Sequence, residues 1–476
     1  MAKRGSILIN QPLYVATMDD GQREFTGGHI FIEGGVIQSV GPEPLNRPAD
    51  TTIDASGMVV LPGFVNTHHH LYQTLTRNIP RMQDAPLFEW LNAHYEVWRE
   101  LTAEGVYVSA LTGMLELMKT GVSTSADHLY LFPAQAGAEL IDAEIRAARE
   151  LGIRFHPTRG SMSLGKSGGG LPPDDLVQSE EEIQKDTERL VRTYHDPEPG
   201  AMVRLALAPC SPFSVTAELM RTSAKYAREH HLQLHTHLAE TIDEEQFCLK
   251  MFGRRPVEYV KSLGWVNGHS WFAHAIHLND TEIKTLGAAG VGISHCPSSN
   301  MRLGSGIARI KELLNAGAKV SLAVDGSASN DSSNMLAEIH NAVLLSRLRD
   351  ESNWLSAREA VSMATSGGAQ VLGRDDIGQL APGMRADVAL FSLDGIEYAG
   401  AQSDPLSALV FTVRLKPVDV LIIDGIIRVQ KGSVQFDEEN LIRKHNRLSR
   451  DMLERARVRT GIDFGIHYKR GQPTLK

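Results

Sequence analysis

The sequence predicts an α/β protein: a (β/α)8 TIM barrel carrying a small β-sandwich domain formed by the N- and C-terminal segments. Two observations carry this. Between residues 62 and 378, short apolar runs alternate with segments of helical period, and eight strand-plus-helix units can be counted. Strands alternating with helices pair in parallel, and eight such units close into a barrel. Outside that alternation both ends of the chain read as strands, so they can pair with each other.

Taken in order, residues 1–61 form the first part of the sandwich. SILINQPLYVATMD, GHIFIEGGVIQSVG and TTIDASGMVVLPGF are β-branched and broken by Gly, Asp and Pro. Residues 62–378 form the barrel. Its strands begin with MVVLPGFVNTHHH, counted as the first, and continue with VSTSAD, IRFHPTR, MVRLALAPC, LQLHTHLAE, HSWFAHAI, VGISHCPS and KVSLAVDG. Between them AEGVYVSALTGMLELMKTG, QAGAELIDAEIRAARELG and NMLAEIHNAVLLSRL have helical spacing. Residues 379–436 return to strands in ADVALFSLDG and VDVLIIDGIIRVQKGSV. Residues 437–476 form a charged helix, Asp437 to Thr460, and a tail.

Composition removes several functions. The 476 residues are 42% hydrophobic and 22% charged, with a formal net charge of −9 and no block of like charge. A nucleic-acid groove needs a concentrated basic face, so no nucleic-acid partner is expected. The absence of an apolar run of membrane-spanning length predicts no membrane span. Three scattered cysteines without a CxxC pair fit a reducing compartment. The N-terminus lacks a long apolar signal region, so a cytoplasmic protein is expected.

In such barrels chemistry gathers at the C-terminal strand ends. Four of these ends carry metal-type side chains: His68 and His70, which alternation places on one face; His237, followed by Glu240; His274; and Asp325. A single strand-end histidine is usually a hydrogen-bonded core residue. The joint pattern of HxH, HxxE, AH and DG is far more specific. His68, His70, His237 and Asp325 supply the three or four ligands of a catalytic zinc with one position left for water. Iron(II) suits the same donors. Two-metal barrels of this type bridge their ions with a carbamylated lysine at the fourth strand end. That position here reads Ala208-Pro209-Cys210-Ser211, so one metal is expected. Zinc makes hydroxide available at neutral pH. Asp325 then serves as ligand and general base, Glu240 carries protons to a ring nitrogen, and His274 orients the nucleophile. The HxE and PCxxC zinc signature of a different deaminase fold is absent.

PGFVNTHHH, HTHLAET, FAHAIHL, SHCPSSNMRL and AVDGSASND together resemble the amidohydrolase superfamily, and more narrowly its cytosine/guanine deaminase-like branch of mononuclear zinc enzymes. The resemblance runs from about Ser6 to Ile462. It implies zinc ligands at His68, His70, His237 and Asp325, a proton-shuttling acid at Glu240 and the sixth-strand histidine at His274. It further implies that Gln73 hydrogen-bonds the substrate ring edge and that Trp90 contacts the heterocycle. HHHLYQTLTR, QDAPLFEWL, DHLYLFP and APCSPFSV are most similar to members that deaminate an oxidised purine. The implied reaction is 8-oxoguanine plus water giving urate plus ammonia. Triazine and hydroxyatrazine hydrolases, and guanine or pterin deaminases, share much of the pattern. A metal-stabilised subunit without turnover is a third class, which the paired Glu240 and Asp325 argue against. A small heterocyclic substrate and a homodimer are the partners implied.

Further pocket candidates rest on position alone. Arg159 ends the third strand, Cys210 the fourth and His295 the seventh, with Tyr130 and Asn330 behind them. Gly160 to Ser167 also satisfies GxxxxGK[ST], but a phosphate loop must open a helix at Lys-Ser. Gly168-Gly169-Gly170-Leu171-Pro172-Pro173 follows instead. Residues 160–177 therefore read as a loop beside the pocket, placed where a lid would lie.

Overall fold

A computed structural model describes residues 5–349, 352–412 and 416–465. Eight strands form one parallel sheet in sequence order. They are β1 Phe64–Asn66, β2 Val122–Leu129, β3 Arg154–Ser161, β4 Ala206–Pro209, β5 Gln233–Leu238, β6 Ser270–His274, β7 Gly292–His295 and β8 Lys319–Leu322. β1 and β8 meet at a seam. There Val324 N–H donates to Asn66 Oδ1 at 3.0 Å and Asp325 N–H donates to the His68 carbonyl at 3.2 Å. Inside the barrel, the Thr67 hydroxyl lies 2.7 Å from both Ser294 Oγ and Ser321 Oγ. The seam is thus closed by side chains and single bonds.

The run MVVLPGFVN, read as one strand from sequence, is two. Met58–Pro62 belongs to a seven-stranded sheet and only Phe64–Asn66 enters the barrel. The break falls at Gly63. Its N–H donates to the Asp387 carbonyl at 2.9 Å, and a Cβ there would lie 2.4 Å from Ser123 Oγ. Only glycine allows that approach.

Met58–Pro62 pairs antiparallel with Val388–Ser392, which joins the two ends of the chain in one sheet. A four-stranded sheet of Val36–Gly41, His29–Glu33, Ser6–Asn10 and Thr51–Asp54 completes the sandwich. Its core is apolar, with Ile7, Ile9, Ile30, Ile32, Val60, Val388 and Ile422 buried together. A much larger apolar layer lies between the barrel strands and their helices. The final helix, Glu438–Thr460, packs on the segment after β1. His445 Nε2 lies 3.0 Å from Thr74 Oγ1, and Ser449 Oγ donates to the Leu75 carbonyl at 2.6 Å. Among the described residues no helix is long and apolar enough to cross a membrane.

Candidate active site

Three exits of the barrel strands carry non-glycine residues in the left-handed region. Ala239 follows β5 at φ 54°, His274 ends β6 at 73° with Ala275 after it at 48°, and Asp325 follows β8 at 61°. Such conformations persist only where the surroundings enforce them. Here they turn side chains from separate strands toward one point.

The hydrogen bonds fix which nitrogens carry protons. His70 Nδ1 donates to the His128 carbonyl at 2.7 Å, and His237 Nδ1 donates to the Cys210 carbonyl at 2.7 Å. His235 Nδ1 donates to the Trp271 carbonyl at 3.0 Å, so its Nε2 accepts from His68 Nδ1 at 2.7 Å. Each of His68, His70 and His237 therefore turns an unprotonated Nε2 inward. His68 Nε2 is buried without a hydrogen-bond partner. His70 Nε2 and His237 Nε2 lie 3.1 Å apart, two lone pairs with no hydrogen between them. Asp325 Oδ1 lies 3.3 Å from His68 Nε2 and 3.4 Å from His70 Nε2.

Four donors without a proton repel one another unless a cation sits among them. Tetrahedral ligands at about 2.0–2.1 Å from one ion stand about 3.3–3.4 Å apart. The observed separations match, so these residues fit a divalent cation. Burial pushes the three imidazoles down, His237 to about 3, which keeps them neutral and able to ligate. Burial by itself would raise Asp325, but the surrounding His68, His274 and His70 hold it well below the usual carboxylate range.

Glu240 and His274 face the same point. Glu240 Oε2 lies 3.6 Å from His274 Nε2, which lies 4.0 Å from Asp325 Oδ2. Burial pushes the Glu240 carboxyl up to about 7, within reach of either protonation state at neutral pH. Burial disfavours charge on His274, yet Glu240 and Asp325 raise it above the ordinary value. His274 Nδ1 donates to Asn300 Oδ1 at 2.9 Å. Ser299 Oγ and Ser329 Oγ donate to Asp325 Oδ2 at 2.5 and 3.2 Å.

The amidohydrolase family pattern matches residues 59–427. The chain is 48% identical over 440 residues to an 8-oxoguanine deaminase of Pseudomonas aeruginosa, covering 92% of this chain and 97% of that one. It is 34% identical over 444 residues to a hydroxydechloroatrazine ethylaminohydrolase of Pseudomonas sp. strain ADP, with 90% and 92% covered. The crystal structure of an atrazine chlorohydrolase from Arthrobacter aurescens TC1 complexed with zinc superposes with a TM-score of 0.90 at 36% identity. That match covers 93% of this chain and all of the other (100%).

The chain belongs to the amidohydrolase family.

In this amidohydrolase the donor cluster floors a pocket walled by Gln73, Leu87, Trp90, Tyr95, Tyr130 and Phe213, with Cys210, Glu240, His274 and Ser329 also lining it. Of the sequence candidates, Gln73, Trp90, Cys210 and Tyr130 are thus brought to the pocket. Gln73 Oε1 accepts Ala328 N–H at 3.3 Å, and a Cβ on Gly326 would fall 1.9 Å from that oxygen. The Trp90 ring lies against His94 with ring centroids 4.1 Å apart and the planes tilted by 45°. The Cys210 thiol is raised to about 12 by burial, so it stands as a neutral wall.

Arg159, His295 and Asn330 do not line this pocket. Arg159 pairs with Asp186 at 2.7 Å, donates to Gln178 Oε1 at 2.9 Å and lies over the Phe132 ring. The cause is strand alternation. The Arg159 guanidinium reaches Asp186 in the helix Glu180–Tyr194, so Arg159 points to the helix layer and the alternate position, Gly160, takes the opposite face. His295 lines a separate cavity beside Ala308, Ala342 and Leu345. Asn330 Nδ2 donates to Glu338 Oε1 at 2.9 Å and to the Val324 carbonyl.

The GxxxxGK[ST] segment holds a single helical turn, Lys166–Gly168, and Asp174 Oδ1 accepts both the Ser167 N–H and hydroxyl. A carboxylate occupies the amide that a phosphate would need.

Sequence reasoning missed His128, His235, Ser299 and Asn300. His235 was legible in principle, because it lies two residues before His237 and so on the same strand face. His128 is the residue directly after the VSTSAD run, and its Nε2 donates to the Ala208 carbonyl at 2.9 Å.

Proposed function

We propose that this amidohydrolase is a mononuclear zinc deaminase of an oxidised aminopurine, converting 8-oxoguanine and water to urate and ammonia. The observation that carries the metal-dependent hydrolysis is the convergence of three proton-free Nε2 atoms and Asp325 beside a buried acid, Glu240. His68, His70, His237 and Asp325 would hold the ion. When bound, the cation supplies Lewis acidity that makes water a nucleophile at neutral pH.

The protein's own residues do the rest. Glu240, with a carboxyl near 7, takes one proton from the attacking water and gives it to the ring nitrogen, and the second proton of that water passes by the same carboxyl to the departing amine. A C–O bond forms at the carbon bearing the exocyclic amine, its C–N bond breaks, and ammonia leaves. His274, kept basic and oriented by Asn300, stabilises negative charge beside the attacked carbon. Trp90, Tyr130 and Phe213 give a flat ring aromatic faces, and Gln73 and Ser329 give its edge polar contacts. The 48% identity across nearly the whole length of an 8-oxoguanine deaminase favours an oxidised purine over a triazine. Parallel steady-state hydrolysis of 8-oxoguanine, guanine, isoxanthopterin and hydroxyatrazine tests this. 8-Oxoguanine should give the highest kcat/KM by at least about tenfold, about 1.4 kcal/mol of transition-state preference. A higher value for hydroxyatrazine overturns the substrate assignment.

A further inference from the structure

Among the described residues three helices begin with a reciprocal cap: Ser179 with Glu182, Asn279 with Glu282 and Ser356 with Glu359. In each, the carboxylate takes the backbone N–H of the cap residue, as the spacing dictates. Thr241-Ile242-Asp243-Glu244 has the same spacing before the helix Ile242–Phe252, and Thr241 Oγ1 accepts the Glu244 N–H at 3.4 Å. The Glu244 carboxylate, however, reaches back beyond the cap. Its Oε1 accepts Ala239 N–H at 2.9 Å and its Oε2 accepts Glu240 N–H at 2.9 Å. Glu244 is fully buried, whereas Glu182 is exposed.

We propose that Glu244 is a positioning residue for Glu240. The two amides it grips flank Cα of Ala239, the residue held at φ 54°. The Ala239 carbonyl is gripped as well, by the N–H groups of Ile276 and His277 at 2.9 Å each. The carboxylate thus fixes the direction in which the chain leaves β5, and so where the Glu240 side chain stands relative to His274. A helix cap needs none of this; the cap residue's own N–H would have served.

The inference rests on the proposed proton transfer by Glu240, and the experiment separates the two. Glu244→Gln keeps one acceptor oxygen and sets an NH2 against the other amide, so one grip is lost. Its kcat on 8-oxoguanine should fall about 10- to 100-fold, the scale of a displaced catalytic group. KM should move less than about threefold and bound zinc should match the wild type. Glu182→Gln, the same substitution at an ordinary cap whose bonds both fall on one oxygen, should keep kcat within about twofold. Glu244→Asp retains both oxygens on a shorter arm and should recover at least about fivefold of the kcat lost in the glutamine variant. If Glu244→Gln fails to fold, Glu244→Asp carries the test through a kcat loss at constant KM. Unchanged kcat in the folded variants, or a loss confined to KM, overturns the positioning role and leaves Glu240 in place. Activity surviving in Glu240→Gln overturns the reading of Glu240 itself.

Discussion

At the N-terminal end of β3, Arg154 sends Nε and Nη2 to Asp387 at 3.0 and 3.1 Å and Nη1 to the Gly200 and Ala201 carbonyls at 2.8 and 2.9 Å. Nearby Arg374 pairs with Asp376 and donates to His156 Nε2 at 3.2 Å. At the opposite end of the barrel, three imidazole lone pairs and a carboxylate face one another with no hydrogen between them. Both clusters are buried and both contain charge. The lower one meets its arginine donors from within the chain, so it is complete as folded. The upper one is complete only when a cation arrives. Burial of polar groups is common to structure and function; mismatched donors and acceptors mark function.

The sharpest way to break this contrast is to alter one carboxylate at each end. Glu240→Gln should lower kcat by at least about a thousandfold while zinc stays bound, in the range general acid–base catalysis supplies. Ammonia release and metal analysis on the same sample check it; a loss below about tenfold would put the proton elsewhere. Asp387→Ala at the lower end should do the reverse. Removing the carboxylate that Arg154 grips, so that Asp424 Oδ1 at 3.8 Å becomes its nearest charge partner, should cost about 3 kcal/mol in urea unfolding, with kcat per folded molecule close to wild type. Equal loss of kcat and stability in both variants would erase the distinction.

The same contrast explains what could be read from sequence. His68, His70, His237, Asp325 and the acid Glu240 were legible because a barrel sends residues at its strand ends to one place. Arg159 also sits at a strand end, but its parity is outward, and sequence position alone did not reveal which of Arg159 and Gly160 faces in. Ser299 and Asn300 act from a helix start through contacts to Asp325 and His274 at other strand ends, and Glu244 acts from a helix start through a grip on the two amides that precede it, none of which a local pattern announces. Glu244 is the clearest case: its spacing reads as an ordinary cap, and only the structure shows the carboxylate displaced onto Ala239 and Glu240. The split at Gly63 was hidden for a related reason, since a glycine inside an apolar run does not say that the chain changes sheets there.

Zinc addition sharpens the comparison further. With metal removed by a chelator, a thousandfold excess of zinc over its Kd should stabilise the fold by about 4 kcal/mol. Asp387→Ala should show the same increment from a lower baseline. Asp325→Ala should show a much smaller one, because three imidazoles remain but their charge partner is gone. An undiminished increment in Asp325→Ala would place the ion elsewhere.

The smallest effect is expected from protons at the lower cluster. Burial first, and then the charges of Arg374, Arg204 and Arg154, lower His156 well below its ordinary 6.5. The folded chain therefore keeps it neutral, as the hydrogen bond from Arg374 to its Nε2 requires. Above about pH 6.5 neither the folded nor the unfolded chain binds a proton at this site. Below it the unfolded chain binds one that the folded chain refuses, so stability falls as pH falls, by about 1.4 kcal/mol per pH unit for this group. His156→Gln retains an acceptor for Arg374 and cannot titrate. Urea unfolding at pH 7.5, 6.0 and 5.0 should give a pH slope shallower by about that amount, with kcat at pH 7.5 unchanged. An identical slope in wild type and variant would mean that His156 is protonated inside the fold, and the lower cluster would then hold one more charge than its own acceptors balance.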